Sequence, residues 1–305
     1  MANSGGNSYI AHMKKVFFFF INFSICMHLN AGSYKVIYGE NNRFEPNEIE
    51  NSEIVHASKS VAAIISNYSL KKIGDQTEIV SLNLGDTINY CASVPYQEQT
   101  VAASCSSFLI APDIILTAGH CIKTEWECNS KSFVFDYRQD LLGKKEGPYK
   151  RFRIPNSNIY KCSKILDRKL ESDGNLEDWA IIKLDRIVKD REPLNYRKYG
   201  KMDTNSKLSL IGFPSGLPLK IAEKGKIRND ENEHYFVAEL DAFHMNSGSP
   251  VINESTLEVE GVLVRGEKDV VNTLGCYDLV VCKEGTCRGE DVSRITTIPF
   301  EKYIY

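Results

Sequence analysis

Short apolar runs, each followed by turn-forming residues, recur along the sequence from residue 61 onward. The runs are a few residues long and rich in β-branched and aromatic side chains, which is typical of strands. No helical periodicity separates them, and only residues 299–305 favour a short closing helix. Many short strands without intervening helices indicate a sandwich or barrels, so the predicted fold class is all-β. The clearest runs are residues 61–65, 106–110, 114–117, 131–135, 180–184, 207–211 and 261–264.

The composition sets the size and the class of the protein. At 305 residues, with 42% hydrophobic and 25% charged residues, the chain is an ordinary globular sequence. It is long enough for one large domain or two modest ones. The formal net charge of -3 gives no positive field, and Lys and Arg do not cluster along the sequence. We therefore expect no nucleic-acid partner.

The first residues have the pattern of an export signal. Two lysines at 14–15 precede an apolar run at 16–21, and small residues follow at 31–32. The alternative is a membrane anchor, but polar residues interrupt the apolar stretch, which falls short of the roughly 20 residues that a span needs. We expect residues 1–31 to be a signal peptide, with Met13 as an alternative start. The mature chain would then be secreted or periplasmic, without a membrane span.

Cysteine usage agrees with export. Of the nine cysteines, Cys26 lies in the signal region, which leaves eight. An even number of cysteines in an exported chain favours disulfides. A zinc site would need close pairs such as C-x-x-C, and none occurs, so we predict no metal. The eight remaining cysteines are Cys91, Cys105, Cys121, Cys128, Cys162, Cys276, Cys282 and Cys287.

A disulfide between Cys105 and Cys121 would join the two ends of a predicted hairpin. The other six cysteines allow fifteen pairings. Among these we favour the set Cys128–Cys162, Cys282–Cys287 and Cys91–Cys276.

Three short segments carry residues with catalytic potential. His120, in Leu116-Thr-Ala-Gly-His-Cys121, follows a predicted strand end and is a natural general base. Asp178 opens an apolar strand, where a half-buried carboxylate needs a partner such as an imidazole N–H. Ser247, in Asn246-Ser-Gly-Ser-Pro250, lies among small residues that permit a sharp turn. Taken singly, each residue could instead have a purely structural role: a buried structural histidine, a strand-capping aspartate and a polar turn.

Together, TAGHC, DWAIIKL and NSGSP occur in the order His, Asp, Ser. In that order they resemble the motifs of chymotrypsin-like serine proteases. The NSGSP form resembles the bacterial glutamyl-endopeptidase branch, and residues 36–43 look like its mature N-terminus. The resemblance extends over nearly the whole chain from Val36.

The resemblance implies two six-stranded antiparallel Greek-key barrels with the active site at their interface. Residues 32–190 would form the N-terminal barrel and carry His120 and Asp178. Residues 191–305 would form the C-terminal barrel and carry Ser247. It further implies a secreted serine endopeptidase that acts on peptides or proteins through an acyl-enzyme. No cofactor is implied, and the protein is expected to be a monomer.

The sequence departs from this family at the oxyanion hole. The family uses the N–H of the nucleophile and that of the residue two positions earlier, which is normally glycine. Here these residues are Ser247 and Met245. Glycine tolerates backbone angles that a side-chain residue does not, and losing one donor costs on the order of a hundred- to a thousandfold in turnover. A weak or inactive homologue that binds peptides or proteins is therefore the alternative function.

The predicted specificity pocket departs from the branch as well. Glutamyl endopeptidases carry a histidine and a threonine where this chain has Leu263 and Ala242. Asp241 falls, by counting, where trypsin-like members place an acidic residue, which would favour Arg or Lys in the substrate. Gly266 completes the predicted pocket. We also expect cleavage of the Lys35–Val36 bond to complete maturation.

Overall fold

The computed structural model describes residues 37–141, 152–283 and 286–304. The predicted signal peptide and the Lys35–Val36 bond lie outside the described residues. Within the described ranges, no helix is long and apolar enough to span a membrane.

Strands dominate the described chain, as the apolar runs predict. The strands are β1 Ile37–Tyr38, β2 Arg43–Phe44, β3 Val61–Ser66, β4 Leu70–Ile73, β5 Gln76–Ile79, β6 Ala103–Ala111, β7 Ile114–Thr117, β8 Lys131–Val134, β9 Phe152–Pro155, β10 Ile159–Leu170, β11 Asp178–Leu184, β12 Lys207–Gly212, β13 Lys220–Asn229, β14 Tyr235–Glu239, β15 Pro250–Asn253, β16 Val259–Arg265, β17 Val270–Thr273, β18 Cys276–Leu279, β19 Val281–Cys282 and β20 Glu290–Arg294.

Within the described residues, two short α-helices interrupt the strands, and the sequence pattern did not predict them. The first, α1 Ser52–Ser58, begins after Asn51, whose side chain accepts two backbone N–H groups. The second, α2 Glu125–Ser130, begins after Thr124, whose side chain accepts one backbone N–H, that of Glu127. Each has two turns at most, too short to show a helical period in sequence. A 3-10 helix, Phe300–Tyr303, forms within the segment expected to close the chain with a helix.

The first barrel closes in the order β10-β11-β7-β6-β3-β8. All of its neighbouring strands are antiparallel. In this barrel Thr117, the last residue of β7, is paired with Ala180 of β11. The end of β7 therefore lies beside the start of β11, which brings His120 and Asp178 to the same edge.

The second barrel has the order β12-β15-β16-β20-β14-β13, and a pairing between β12 and β13 closes it. The two six-stranded antiparallel barrels predicted from the resemblance are thus confirmed. The boundary expected between residues 190 and 191 falls between β11 and β12. Within the part expected to form the first barrel, however, β2 extends the second barrel beside β13, and β1 forms a separate parallel pair with β19.

Four disulfides brace the barrels and their loops. Cys105–Cys121 joins β6 to the residue after His120, and Cys128–Cys162 ties α2 to β10. These are the pairs favoured from the sequence, and so are the other two. The remaining bridges are Cys91–Cys276 and Cys282–Cys287.

Candidate active site

A cavity of about 430 Å³ lies where loops of the two barrels meet. His120 reaches it from the first barrel, three residues after β7, and Ser247 from the loop between β14 and β15. The two side chains predicted as base and nucleophile therefore line one cavity. Its lining consists of His120, Ala242, Phe243, His244, Ser247, Leu263, Val264, Arg265, Gly266, Glu267, Asp269, Arg288 and Glu290.

Asp178 binds His120 through both carboxylate oxygens. Its Oδ2 lies 2.7 Å from the imidazole Nδ1, and its Oδ1 accepts the backbone N–H of His120 at 3.0 Å. The aspartate is 2% exposed, so water competes little for these contacts. An ionised carboxylate has only acceptors, so this pairing places the imidazole proton on Nδ1. Nε2 is then left with a lone pair, as a general base requires.

Arg265 faces the same carboxylate from the second barrel. Its Nη1 lies 3.8 Å from Asp178 Oδ2, and its Nε binds Asp291 at 3.1 Å. Its Nη2 also donates to the carbonyl of Leu176 at 2.8 Å. This arginine therefore links the strand that carries Asp178 to β16 and β20.

The loop around Ser247 is held against both barrels. The carbonyl of Ser247 accepts the N–H of Ser106 on β6 at 2.8 Å, and the N–H of Gly248 donates to the Leu263 carbonyl at 2.7 Å. Gly248 has a φ of 90°, and a Cβ there would lie 2.0 Å from the Ser106 carbonyl oxygen. Only glycine permits both this backbone angle and this close approach.

Met245 adopts the left-handed backbone conformation that glycine favours. Its φ is 72°, and the N–H of Asn246 donates to the Phe243 carbonyl at 2.9 Å. Residues 243–246 thus form a turn with positive φ at its third residue, which is the type II pattern. The methionine keeps the turn shape, at a cost of about 1 kcal/mol relative to a right-handed conformation.

The two predicted oxyanion donors are not engaged elsewhere. Within the ranges that the structure describes, neither the N–H of Met245 nor that of Ser247 donates a hydrogen bond. The Met245 carbonyl is anchored by the hydroxyl of Ser106 at 3.1 Å, which fixes the turn from the opposite side.

Three of the four predicted pocket residues, Ala242, Leu263 and Gly266, line the cavity. Asp241 does not. Its two carboxylate oxygens accept the N–H groups of Tyr38 and Asn42, each at 2.7 Å. Asp241 is 5% exposed, and this burial raises its pKa despite the two donors. In this structure Asp241 holds the N-terminal segment against the second barrel.

Several cavity residues were not assigned to the pocket from the sequence. Glu290, the first residue of β20, is buried, and its burial raises its pKa well above the usual range. Asp269 accepts the N–H of His244 at 2.7 Å, and burial raises its pKa to about 6. Gly289-Glu290-Asp291 reads as a polar turn in sequence, so no local signal marked it.

One group of described residues has the spacing of a metal site: Cys105, His120 and Cys121. Both cysteine sulfurs are joined in a disulfide and cannot act as thiolate ligands. This cluster therefore does not fit a metal ion.

Two closed six-stranded barrels, with His120 and Ser247 at a cavity where their loops meet, have the chymotrypsin-like serine protease fold. The sequence model of the trypsin-like peptidase domain matches residues 105–262, more than half of the chain. The chain therefore belongs to the family of trypsin-like peptidase domains.

Three solved structures are similar to this chain. A Glu endopeptidase in complex with MPD is 16% identical, with a TM-score of 0.48, over 88% of this chain and 98% of that one. The inactive form of Rv3671c protease is 13% identical, with a TM-score of 0.45, over 82% of this chain and 91% of that one. Vibrio cholerae VesB protease is 14% identical, with a TM-score of 0.47, over 88% of this chain and 66% of that one. A search of curated proteins finds none that matches.

Proposed function

We propose that the protein is a secreted serine endopeptidase with Ser247 as nucleophile, His120 as general base and Asp178 as the residue that orients the histidine. The observation that carries this proposal is the double contact of Asp178 with His120 beside the cavity that Ser247 lines. Such a contact fixes both the ring and the backbone of the base before a substrate arrives.

The proposed reaction proceeds in two halves. Ser247 Oγ attacks the carbonyl carbon of the peptide bond while His120 Nε2 takes the hydroxyl proton. The N–H groups of Met245 and Ser247 stabilise the oxyanion. His120 then gives its proton to the leaving amine, which leaves an acyl-enzyme on Ser247. A water molecule repeats the sequence, with His120 as base again, and releases the acid.

Export is part of the proposal. Four disulfides are typical of proteins that mature in an oxidising compartment. A secreted or periplasmic peptidase would meet peptide or protein substrates there and act as a monomer. The net charge of -3 supports no nucleic-acid partner.

Hydrolysis of a positional-scanning peptide library by the purified protein tests this function. We expect cleavage by the wild type and none by Ser247→Ala. Asp178→Asn should retain about a ten-thousandth of the turnover, because an amide in place of the carboxylate favours the wrong imidazole tautomer. Cleavage that persists in Ser247→Ala would contradict the proposal.

A second function has one observation in its favour. At the predicted oxyanion hole, position 245 has a left-handed backbone but is methionine rather than glycine. This is a strained arrangement for a catalyst. A homologue that binds peptides without cleaving them would have the same cavity. Binding of library peptides by wild type and Ser247→Ala alike, with no products, would favour this alternative.

A further inference from the structure

The cavity contains one buried charged residue, Glu290. Of the charged lining residues, Glu290 alone is buried, with 2% exposure. It lies directly against Gly266, where a Cβ would come within 1.6 Å of Glu290 Oε2. The carboxyl group therefore fills the space that a side chain at position 266 would occupy, and it faces the cavity across the bare glycine backbone.

No basic side chain of the described residues forms an ion pair with this carboxyl group, although the charge of Arg288 partly offsets the rise in its pKa. Among the described residues it receives the hydroxyl of Tyr38 at 3.4 Å and the backbone N–H of Glu267. The two arginines that line the cavity form ion pairs with other carboxylates: Arg288 pairs with Asp291, and Arg265 is shared between Asp291 and Asp178. A buried carboxylate without a cation is unstable, so the site is complementary to a cation from outside.

The rest of the cavity suits a long side chain with an apolar stem. Ala242, Phe243, Leu263 and Val264 supply apolar wall in the cavity that Ser247 and Glu290 also line. Lys and Arg have such a stem of methylene groups and carry their charge at the tip. Arg can also bind a carboxylate through two parallel N–H groups.

We propose that Glu290 is the specificity-determining residue of this cavity and receives the Lys or Arg side chain that precedes the cleaved bond. This inference rests on the peptidase function proposed above. Asp241, which sequence counting favoured for this role, already binds two backbone N–H groups with its two oxygens. The acidic residue that faces the substrate thus comes from β20.

Kinetics with matched peptides test the assignment. The substrates differ only in the residue before the cleaved bond, which is Lys, Arg or the uncharged norleucine. We expect Glu290→Gln to lower kcat/KM for Lys and Arg about a hundredfold or more, because it leaves a buried cation unpaired. The norleucine peptide should be cleaved at least as well as before. Glu290→Asp keeps the charge on a shorter stem and should retain part of the preference.

A binding measurement separates this inference from the peptidase function. Calorimetry with benzamidine, a small planar cation, needs no turnover and can use Ser247→Ala as the background. We expect binding to Ser247→Ala and a loss of about a hundredfold or more when Glu290→Gln is added. Asp241→Asn serves as the matched control and should bind benzamidine like its parent, provided that thermal unfolding shows it folded.

The outcomes are distinct. Peptide cleavage without a Lys or Arg preference, or a preference unchanged in Glu290→Gln, would overturn the assignment of Glu290 and leave the peptidase function standing. Benzamidine binding that depends on Glu290, in a protein that cleaves no peptide, would support the cation pocket and contradict the peptidase function. Benzamidine binding abolished by Asp241→Asn but kept by Glu290→Gln would move the site to Asp241.

Discussion

The backbone N–H of Ser106 donates a 2.8 Å hydrogen bond to the carbonyl of Ser247, and so joins the first barrel to the loop of the second that carries Ser247. The Ser106 hydroxyl adds two further contacts across the same junction. It donates to the Met245 carbonyl at 3.1 Å and accepts the N–H of Phe213 at 3.1 Å. One buried residue of β6 thereby holds both the backbone at Ser247 and the turn at Met245.

Replacing this hydroxyl should affect catalysis more than substrate binding. Ser106→Ala leaves the N–H of Phe213 unsatisfied, which costs about 1–3 kcal/mol of unfolding free energy. It also releases the Met245 carbonyl, so kcat should fall while KM changes little. Ser107→Ala is the matched control, because its hydroxyl donates to Ala62 within the first barrel at 2.9 Å. Equal kcat in the two variants would show that Ser106 is only structural.

The left-handed conformation of Met245 predicts a stabilising substitution. Met245→Gly removes the conflict between Cβ and a φ of 72°. Denaturant unfolding should show a gain of about 1 kcal/mol, which Met245→Ala would not share because it keeps Cβ. Since the turn already has the type II form, kcat should change less than tenfold. A gain of a hundredfold or more in Met245→Gly would mean that the methionine disables the oxyanion hole.

The disulfide at the histidine should matter for activity as well as stability. In the chain-entropy description, a bridge across 16 residues contributes about 3 kcal/mol, and one across 5 residues about 2 kcal/mol. Replacing both Cys105 and Cys121 by Ala should therefore lower stability and also kcat, because that bridge ends beside His120. Replacing Cys282 and Cys287 should lower stability less and leave kcat nearly unchanged. A similar kcat in both double variants would contradict this account.

The preference for a basic residue should strengthen as the pH rises. Burial raises the pKa of Asp269 to about 6 and that of Glu290 well above the usual range, so in the empty cavity both keep their protons to a higher pH than an ordinary carboxyl group does. A bound cation favours the ionised carboxylates, so binding improves as the pH rises through these pKa values. The other titratable and charged groups around the cavity are Tyr38, His120, Arg265, Glu267, His244, Arg288 and Asp291.

The measured quantity is the ratio of kcat/KM for the Lys peptide to that for the norleucine peptide, because this ratio cancels the titration of the catalytic base. The ratio should rise with pH through about 6, the pKa of Asp269, and should rise further as Glu290 ionises. In Glu290→Gln only the step near pH 6 from Asp269 should remain. A ratio that falls with rising pH in the wild type would contradict the sign of this prediction.

The all-β class could be predicted because each apolar run is a local pattern, and the two barrels because three short motifs carry the family resemblance. The apolar runs predicted β3, β6, β7, β8, β11, β12 and β16 at nearly their observed positions. The longer strands β10 and β13 were missed because polar and half-exposed residues interrupt their pattern. These two strands are defined by their pairing with neighbouring strands, which their sequence pattern does not reveal.

The contents of the pocket could not be predicted, because they depend on contacts between distant segments. Asp241 and Tyr38 are 203 positions apart, and nothing in either segment indicates that they meet. Glu290 is buried because β20 lies between β14 and β16, which is a consequence of barrel closure. In sequence the same residue belongs to an acidic, turn-like stretch.

Covalent labelling of the nucleophile tests the central claim most directly. A fluorophosphonate reacts with a serine hydroxyl that a neighbouring base activates, and peptide mass spectrometry locates the adduct. We predict a single adduct on Ser247 in the wild type, no adduct in Ser247→Ala and strongly slowed labelling in His120→Ala. An adduct on another serine, or equal labelling of wild type and His120→Ala, would contradict the account.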